Sequence, residues 1–443
     1  MNSRQNARLV RNVHAVRAMA FFQVFMVIVP VAVPLFGDRG LDLAQVLELQ
    51  ALFGLTVVFG EVPSGYVADV FGRRLALIWG ALFLGIGHSL LLVADDFATL
   101  ALFEIALGVG VSLISGADVA TLYDSQLCLG HDERTRREGL AGLFFTRQLA
   151  EAGAGLAASI VLLVADFELL VRIQCVIGWM PLLLAFRITE PPVERMSARS
   201  HGDSVIGVGR ALLQADVLVR RTFLLLAVWS LSTFYAVWLL QHQMQAGAVP
   251  LASFGLAWAL LGVIGALAGR QAVVLEAGIG APRLLALVVL LPVLGYALLA
   301  LVPAAAALLV APLFWVSRGV GFVVLQGALN ARLASRTRAT ANSLVGFVFR
   351  ASFALTVPVV GGLLRAFSPV EVFVLLAAAT LGVWLTLGRS LARAVEAGTA
   401  GSDTGEADTA EPPLGGDEAP AEDASRACGD DGAEIDGLPG AVR

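Results

Sequence analysis

The sequence predicts an all-α polytopic membrane protein with about twelve transmembrane helices in two related six-helix halves. Three observations carry this. The 443 residues are 58% hydrophobic with a mean hydropathy of +0.80, and only 15% are charged; an ordinary soluble domain carries about 25%. Apolar segments of about 20 residues or more, the length that crosses a bilayer, recur along the chain. Arginine crowds into alternate connections between them, and the chain has no lysine at all.

The segments lie near 16–36, 43–68, 75–94, 97–123, 139–164, 169–188, 221–245, 250–274, 283–302, 304–329, 341–364 and 370–391. Arg4, Arg8, Arg11 and Arg17 precede or open the first. Arg73 and Arg74 follow the second, and Arg134, Arg136 and Arg137 follow the fourth. The pattern returns at Arg195, Arg199, Arg210, Arg220 and Arg221, then at Arg332, Arg336 and Arg338, then at Arg389 and Arg393. In the first half the intervening connections carry mainly acid: Asp38, Asp42, Asp95, Asp96, Asp166 and Glu168. By the positive-inside rule both termini are cytoplasmic. The lysine-free composition reads as a high-GC bacterial coding bias, which makes the membrane a bacterial inner membrane.

The longest polar interruption, Glu190 to Arg220, divides the chain. Residues 1–189 form an N-terminal six-helix bundle, 190–220 a cytoplasmic linker, 221–391 a C-terminal six-helix bundle and 392–443 an acidic tail. The fourth segment reads LGVGVSLISGA from Leu107 and the tenth RGVGFVVLQGA from Arg318. Gly108, Gly110 and Gly116 thus fall on Gly319, Gly321 and Gly327 at one offset. Residues 397–443 hold 12 acidic residues and two arginines, so the overall net charge of −5 conceals a membrane body of +5. The tail is rich in Gly, Ala, Pro and acid, a composition that cannot bury a core and stays disordered.

Between the second and third segments stands GYVADVFGRR, Gly65 to Arg74. Gly65 and Gly72 let the chain turn and the helices approach; Asp69 is placed to meet a cation or a helix N-terminus. The pattern G-x-x-x-D-x-x-G-R-R resembles the signature loop of the major facilitator superfamily of secondary transporters. EVPSGYVADVFGRR, SGADVATLYDS and RATANSLVGFVFRASFALTVPVVGG are similar to a bacterial branch of that superfamily. The resemblance covers nearly the whole chain apart from the tail. It implies two halves rocking about a central site. It also implies a gate in which Asp69 contacts the start of the eleventh span near Ala341, with Arg73 bracing the same gate. Arg74 belongs to the same motif loop. The second-half counterpart, LEAGIGAPR, keeps Glu276 and Gly280 but only Arg283 of the arginine pair. Glu104 stands where many superfamily antiporters have an arginine.

An ionisable group at mid-membrane costs about 2.5–3.5 kcal/mol on insertion scales, so each calls for a partner or a function. At about 1.5 Å per residue, Asp118 and Arg147 reach a similar depth on consecutive helices, and Glu151 follows Arg147 by one turn. An Asp118–Arg147–Glu151 cluster is expected, either as a structural lock or as a proton relay, with Glu151 the preferred proton site. Glu104, the other first-half candidate, lies close enough to Asp96 to face outer water. Glu61 precedes Pro63 near the cytoplasmic mouth and suits a gate or packing role. Arg318, near mid-depth in the tenth segment, and Arg350, in the eleventh, are the candidates for a substrate cavity. His242, among Gln241, Gln243 and Gln245, reads as an exposed polar end.

Five scattered histidines and three cysteines show no metal spacing or nucleophile–base pair, and no phosphate-binding loop is present. These features argue against an enzyme or a self-contained ATP-driven pump. The expectation is a secondary transporter of a small organic solute, proton-coupled, with a lean to export. An uptake symporter and a non-transporting sensor or scaffold are the alternatives. The expected partners are the solute, protons and the lipid bilayer; the protein is expected to be monomeric, with no cofactor, metal or nucleic acid. Truncation after Glu396 should leave transport within about twofold of the full chain, since it removes only disordered sequence; loss of folding in the truncated protein would show that the tail docks.

Overall fold

The computed structural model describes residues 3–192, 217–333 and 335–394, without the side chains of Val62, Asp69, Val217, Ala331 and residues 335–340. The acidic tail, most of the inter-half linker and the side chain of Asp69 lie outside the described residues.

All described elements are helical. The first crossing joins α1 (Ser3–Val24) to α2 (Ala32–Asp38) through a 3-10 turn at Val29–Val31. Pro30, which has no backbone N–H to give, sits in that turn. Then follow α3 (Leu43–Phe71), α4 (Arg73–Leu90), α5 (Phe97–Ile114), α6 (Ala117–Cys128), α7 (Glu133–Val164) and α8 (Phe167–Ala185). The second half holds α9 (Val217–Ala246), α10 (Ala252–Arg270), the short α11 (Ala272–Ile279), α12 (Ala281–Leu301), α13 (Ala307–Val310) and α14 (Pro312–Ala331). It ends with α15 (Ser335–Ala366) and α16 (Pro369–Val383), which continues through a π turn at Trp384–Gly388. We call the side where α1 begins the termini face and the opposite side the far face.

Eleven segments among the described residues are long and apolar enough to cross a bilayer. The twelfth expected crossing is α4, whose 18 residues open on Arg73 and Arg74. Several helices outrun the apolar windows. α1 starts well before residue 16, and α7 starts at Glu133, where Arg137 and Glu133 pair one turn apart. Apolarity reports contact with lipid, whereas a helix continues into the polar layer wherever side chains support it. The expected single span over 97–123 is broken: α5 stops at Ile114, Gly116 takes φ +83°, and α6 begins.

The acidic connections have a local role. Asp42, Asp96 and Asp166 each accept the backbone N–H three residues on, closing the first turns of α3, α5 and α8. Gly72 (φ +101°) and Gly280 (φ +84°) make the tight links α3–α4 and α11–α12. The second copy of the motif has thus kept its turn although it lost an arginine.

Within the first half α4 packs on α5 and α8, α3 on α5, and α1 on α6, α7 and α8. Within the second, α12 packs on α14 and α16, and α14 on α9 and α10. The halves meet where α3 packs on α15, α7 on α10 and α2 on α9. At the α7–α10 crossing Gly155 and Gly255 touch backbone to backbone: a Cβ on Gly155 would lie 2.6 Å from the Gly255 carbonyl oxygen. Gly255→Ala should therefore push α7 and α10 apart and cost about 1–3 kcal/mol. The check is thermal unfolding in detergent, with Gly262→Ala, which meets open space on the same helix, as the neutral control.

Candidate functional site

The turn at Gly72 is held from within the first half. Both carboxylate oxygens of Glu190 accept N–H groups at the start of α4, from Arg73 at 2.9 Å and Arg74 at 2.8 Å. An anion at a helix N-terminus meets unpaired donors and the positive end of the dipole. Arg74 Nε donates to the Ile188 carbonyl at 2.8 Å. The Arg73 guanidinium pairs with Asp124 on α6 and donates to the Ala120 carbonyl at 3.1 Å. Arg73, expected at the gate to the eleventh span, thus ties α4 to α6, since the turn aims it across its own half. Gly65 lies inside α3. The expected contact of Asp69 with the start of the eleventh span falls on side chains outside the described residues.

The break at Gly116 gives α6 an N-terminus inside the bundle, and Asp118 lies in its first turn. The Asp118 carboxylate is buried and pairs with Arg147 on α7. Depth and chain proximity were enough to bring these two together. Glu151 does not join them. It is exposed and forms no ion pair among the described residues, because the Arg147 guanidinium turns toward buried Asp118 rather than along its own helix. Glu151 lies on the stripe of α7 that includes Gly155 and therefore faces the seam with the second half. Phe144 and Gln148 on that stripe are exposed too.

Glu104 does not face outer water. It is 4% exposed, and Gln50 Nε2 on α3 donates to its carboxylate at 2.7 Å. Close packing of α3 on α5 covers it, with Gly108 of α5 against Thr56 and the Phe53 carbonyl.

Among the described residues the seam also holds an ion pair that sequence reasoning did not find. Arg350 on α15 donates to Glu61 on α3 at 3.0 Å, and both side chains are partly exposed, 30% and 25%. The Arg350 stem packs beside Gly54 on α3. Arg318 on α14 lies between Gly321, packed on Trp229 of α9, and Gly319, packed on α10. It is exposed, so it opens into the gap between those two helices.

The far face is closed by polar contacts between halves. Gln241 on α9 accepts from Val33 N–H at 3.0 Å and donates to the Val29 carbonyl at 3.1 Å. It is buried, not an exposed polar end as expected. Nothing in the local sequence marks it except a polar residue beside apolar ones. Arg365 on α15 reaches Asp42 at 3.1 Å and Glu48 at 3.3 Å. Asp42, in the loop before α3, sits below the usual carboxylate range: burial pushes it up, but the Gln45 N–H and Arg365 outweigh that.

The family model of the major facilitator superfamily matches residues 14–337. The chain belongs to the major facilitator superfamily. Solved superfamily-fold structures align over most of it. They include the nucleoside transporter NupG (13% identity, TM-score 0.67, 90% of this chain and 99% of that one). A POT family transporter in complex with 5-aminolevulinic acid aligns at 14% identity and TM-score 0.67, over 85% of this chain and 95% of that one. A D-xylose–proton symporter aligns at 14% identity and TM-score 0.62, over 86% and 97%. At such identities these likenesses show the fold. A search of curated proteins by sequence finds no match.

Removing one partner of a buried ion pair leaves a charge without compensation, at about 3–5 kcal/mol. Arg147→Ala should destabilise the protein by about that much, and adding Asp118→Asn should restore most of the loss. Thermal unfolding of the single and double variants checks this; equal loss in both would show that Arg147 acts through packing alone.

Proposed function

We propose that this protein is a proton-coupled secondary transporter that carries a small organic solute across a bacterial inner membrane by alternating access. Both termini then lie on the cytoplasmic side, where the arginines concentrate. The observation that carries this reading is the Glu61–Arg350 pair, which joins the two halves at partly exposed positions on the seam. When the halves rock, α3 and α15 change their relation and the pair must open or re-form. A carboxylate that faces a guanidinium in one state and leaves it in the other changes its proton affinity between the states. Coupling of proton and solute requires that property.

The remaining site residues take supporting roles. Asp118 and Arg147 lock α6 to α7 inside the first half. Glu151 and Arg318 present a carboxylate and a guanidinium to the central cavity, where they orient a polar solute. The loop from Gly65 to Arg74 keeps its gating role through Asp69, with Arg73 and Arg74 holding the loop to its own half. Glu61 thus takes the coupling role for which sequence reasoning preferred Glu151, because Glu61 alone of the two has a cation across the seam in the described residues. The lean to export has no support among the similar structures, one of which is a D-xylose–proton symporter.

Untargeted comparison of metabolites in cells lacking and overproducing the protein should identify the solute. In proteoliposomes, Glu61→Gln should abolish solute accumulation driven by ΔpH while exchange of labelled for unlabelled solute persists. Accumulation at the wild-type level would place the proton site elsewhere, and no flux of any solute in the wild type would remove the transporter reading.

A further inference from the structure

Three arginines from different elements meet at the termini face, and two of them form no ion pair among the described residues. Arg11 of α1, Arg74 of α4 and Arg187, just past α8, line an open cleft of about 740 Å³ together with Phe186 and Glu190. All three arginines are exposed. Arg74 is partly engaged through the Ile188 carbonyl. Arg11 and Arg187 form no ion pair among the described residues. The one carboxylate in the cleft, that of Glu190, is turned onto the backbone N–H groups of Arg73 and Arg74 and closes the N-terminus of α4. The described lining therefore carries a net charge of +2.

Its surroundings are those of the boundary between membrane and water. One level is fixed by Asn12, next to Arg11, which donates to the Thr189 carbonyl at 2.7 Å and accepts from the Thr189 N–H at 2.8 Å. The adjoining surface is apolar and uncovered: Phe186, in the cleft just past α8, is 56% exposed, Leu183 on α8, one turn from Arg187, is 58% exposed, and Trp79 on the adjoining α4 is 47% exposed. A ligand that fits both parts has an anionic head for the arginines and hydrocarbon for the exposed stripe beneath. Guanidinium groups match phosphate oxygens in charge and in hydrogen-bond geometry, and basic clefts between spanning helices at this level suit anionic headgroups.

We propose that the cleft between α1, α4 and the end of α8 binds the phosphate headgroup of an anionic phospholipid, with Arg11 and Arg187 as its principal donors. The site is separate from the seam between the halves and does not depend on which solute is carried.

The test uses the full chain, purified in detergent and stripped of lipid. Cardiolipin, phosphatidylglycerol, phosphatidylcholine and inorganic phosphate are titrated separately, and the thermal unfolding midpoint is read. Cardiolipin and phosphatidylglycerol should raise the midpoint, and phosphatidylcholine and inorganic phosphate should not. In the Arg11→Gln, Arg187→Gln double variant the concentration of cardiolipin giving half the effect should rise about tenfold or more, given roughly fivefold per arginine near an anionic headgroup. Arg8→Gln, on the same helix but outside the cleft, should respond as wild type. Native mass spectrometry of retained cardiolipin gives the same comparison without unfolding, and the single variant Arg187→Gln serves if the double variant does not fold. Equal stabilisation by phosphatidylcholine, full protection by inorganic phosphate alone, or unchanged cardiolipin dependence in the variants would each overturn the proposal.

Discussion

Inside the hydrocarbon no water is available, so every ionised or hydrogen-bonding group there must find its partner in the protein. That constraint decides much of which helix touches which. Asp118 and Arg147 tie α6 to α7, Glu104 and Gln50 tie α5 to α3, and Arg73 and Asp124 tie α4 to α6. All of these ties lie within the first half. Breaking any of them would strand a buried or half-buried polar group, so they make that half a rigid body. Glu61 and Arg350 obey the same constraint, but their tie crosses the seam. Partial exposure lowers the cost of parting them, since water can reach both groups. The same chemistry thus ties helices within the first half where it is buried and joins the two halves where it is partly exposed.

The contacts that close the far face are individually weak. Arg365, Asp42 and Glu48 are about half to one-third exposed, and such pairs are worth about 0–1 kcal/mol each. Gln241 adds two hydrogen bonds, and the glycine contact of α7 with α10 adds close packing rather than charge. A closure built from several small terms can be undone stepwise, which suits a protein with two states of similar free energy. The sign of its pH dependence follows from Asp42. Its carboxyl titrates below the usual range in the folded protein, so its contribution is present at neutral pH and is lost as pH falls through that depressed value.

Sequence reasoning reached what is local or repetitive. Span positions followed from apolar runs, and the two-half arrangement from glycines recurring at one offset. Asp118 met Arg147 because only 29 residues and one loop separate them, so depth along two consecutive helices was enough. The same arithmetic failed for Glu61 and Arg350, 289 residues apart, because nothing in one sequence says which helices of the two halves adjoin. Glu104 was misplaced for a related reason: depth along a helix does not report which way a side chain faces, and Gln50 on α3 covers it. Glu190 was read only as the start of the linker, although an acid at an otherwise arginine-rich face was a signal that it had a local duty.

The repeat also conceals a difference that only the backbone shows. Gly116 and Gly327 correspond in sequence, yet Gly116 adopts φ +83° and ends α5, whereas Gly327 lies within α14. At the same offset, Asp118 of the first half corresponds to Leu329, and Arg318 of the second half corresponds to Leu107; both leucines are buried. A break in the helix is useful where a carboxylate needs the new N-terminus and its free N–H groups, and without that carboxylate an unbroken helix keeps all its backbone bonds. The first half therefore places its polar residue in an internal ion pair, while the polar residue of the second half, Arg318, is exposed between α9 and α10. Two bundles of common pattern have in this way put equivalent positions to different structural use.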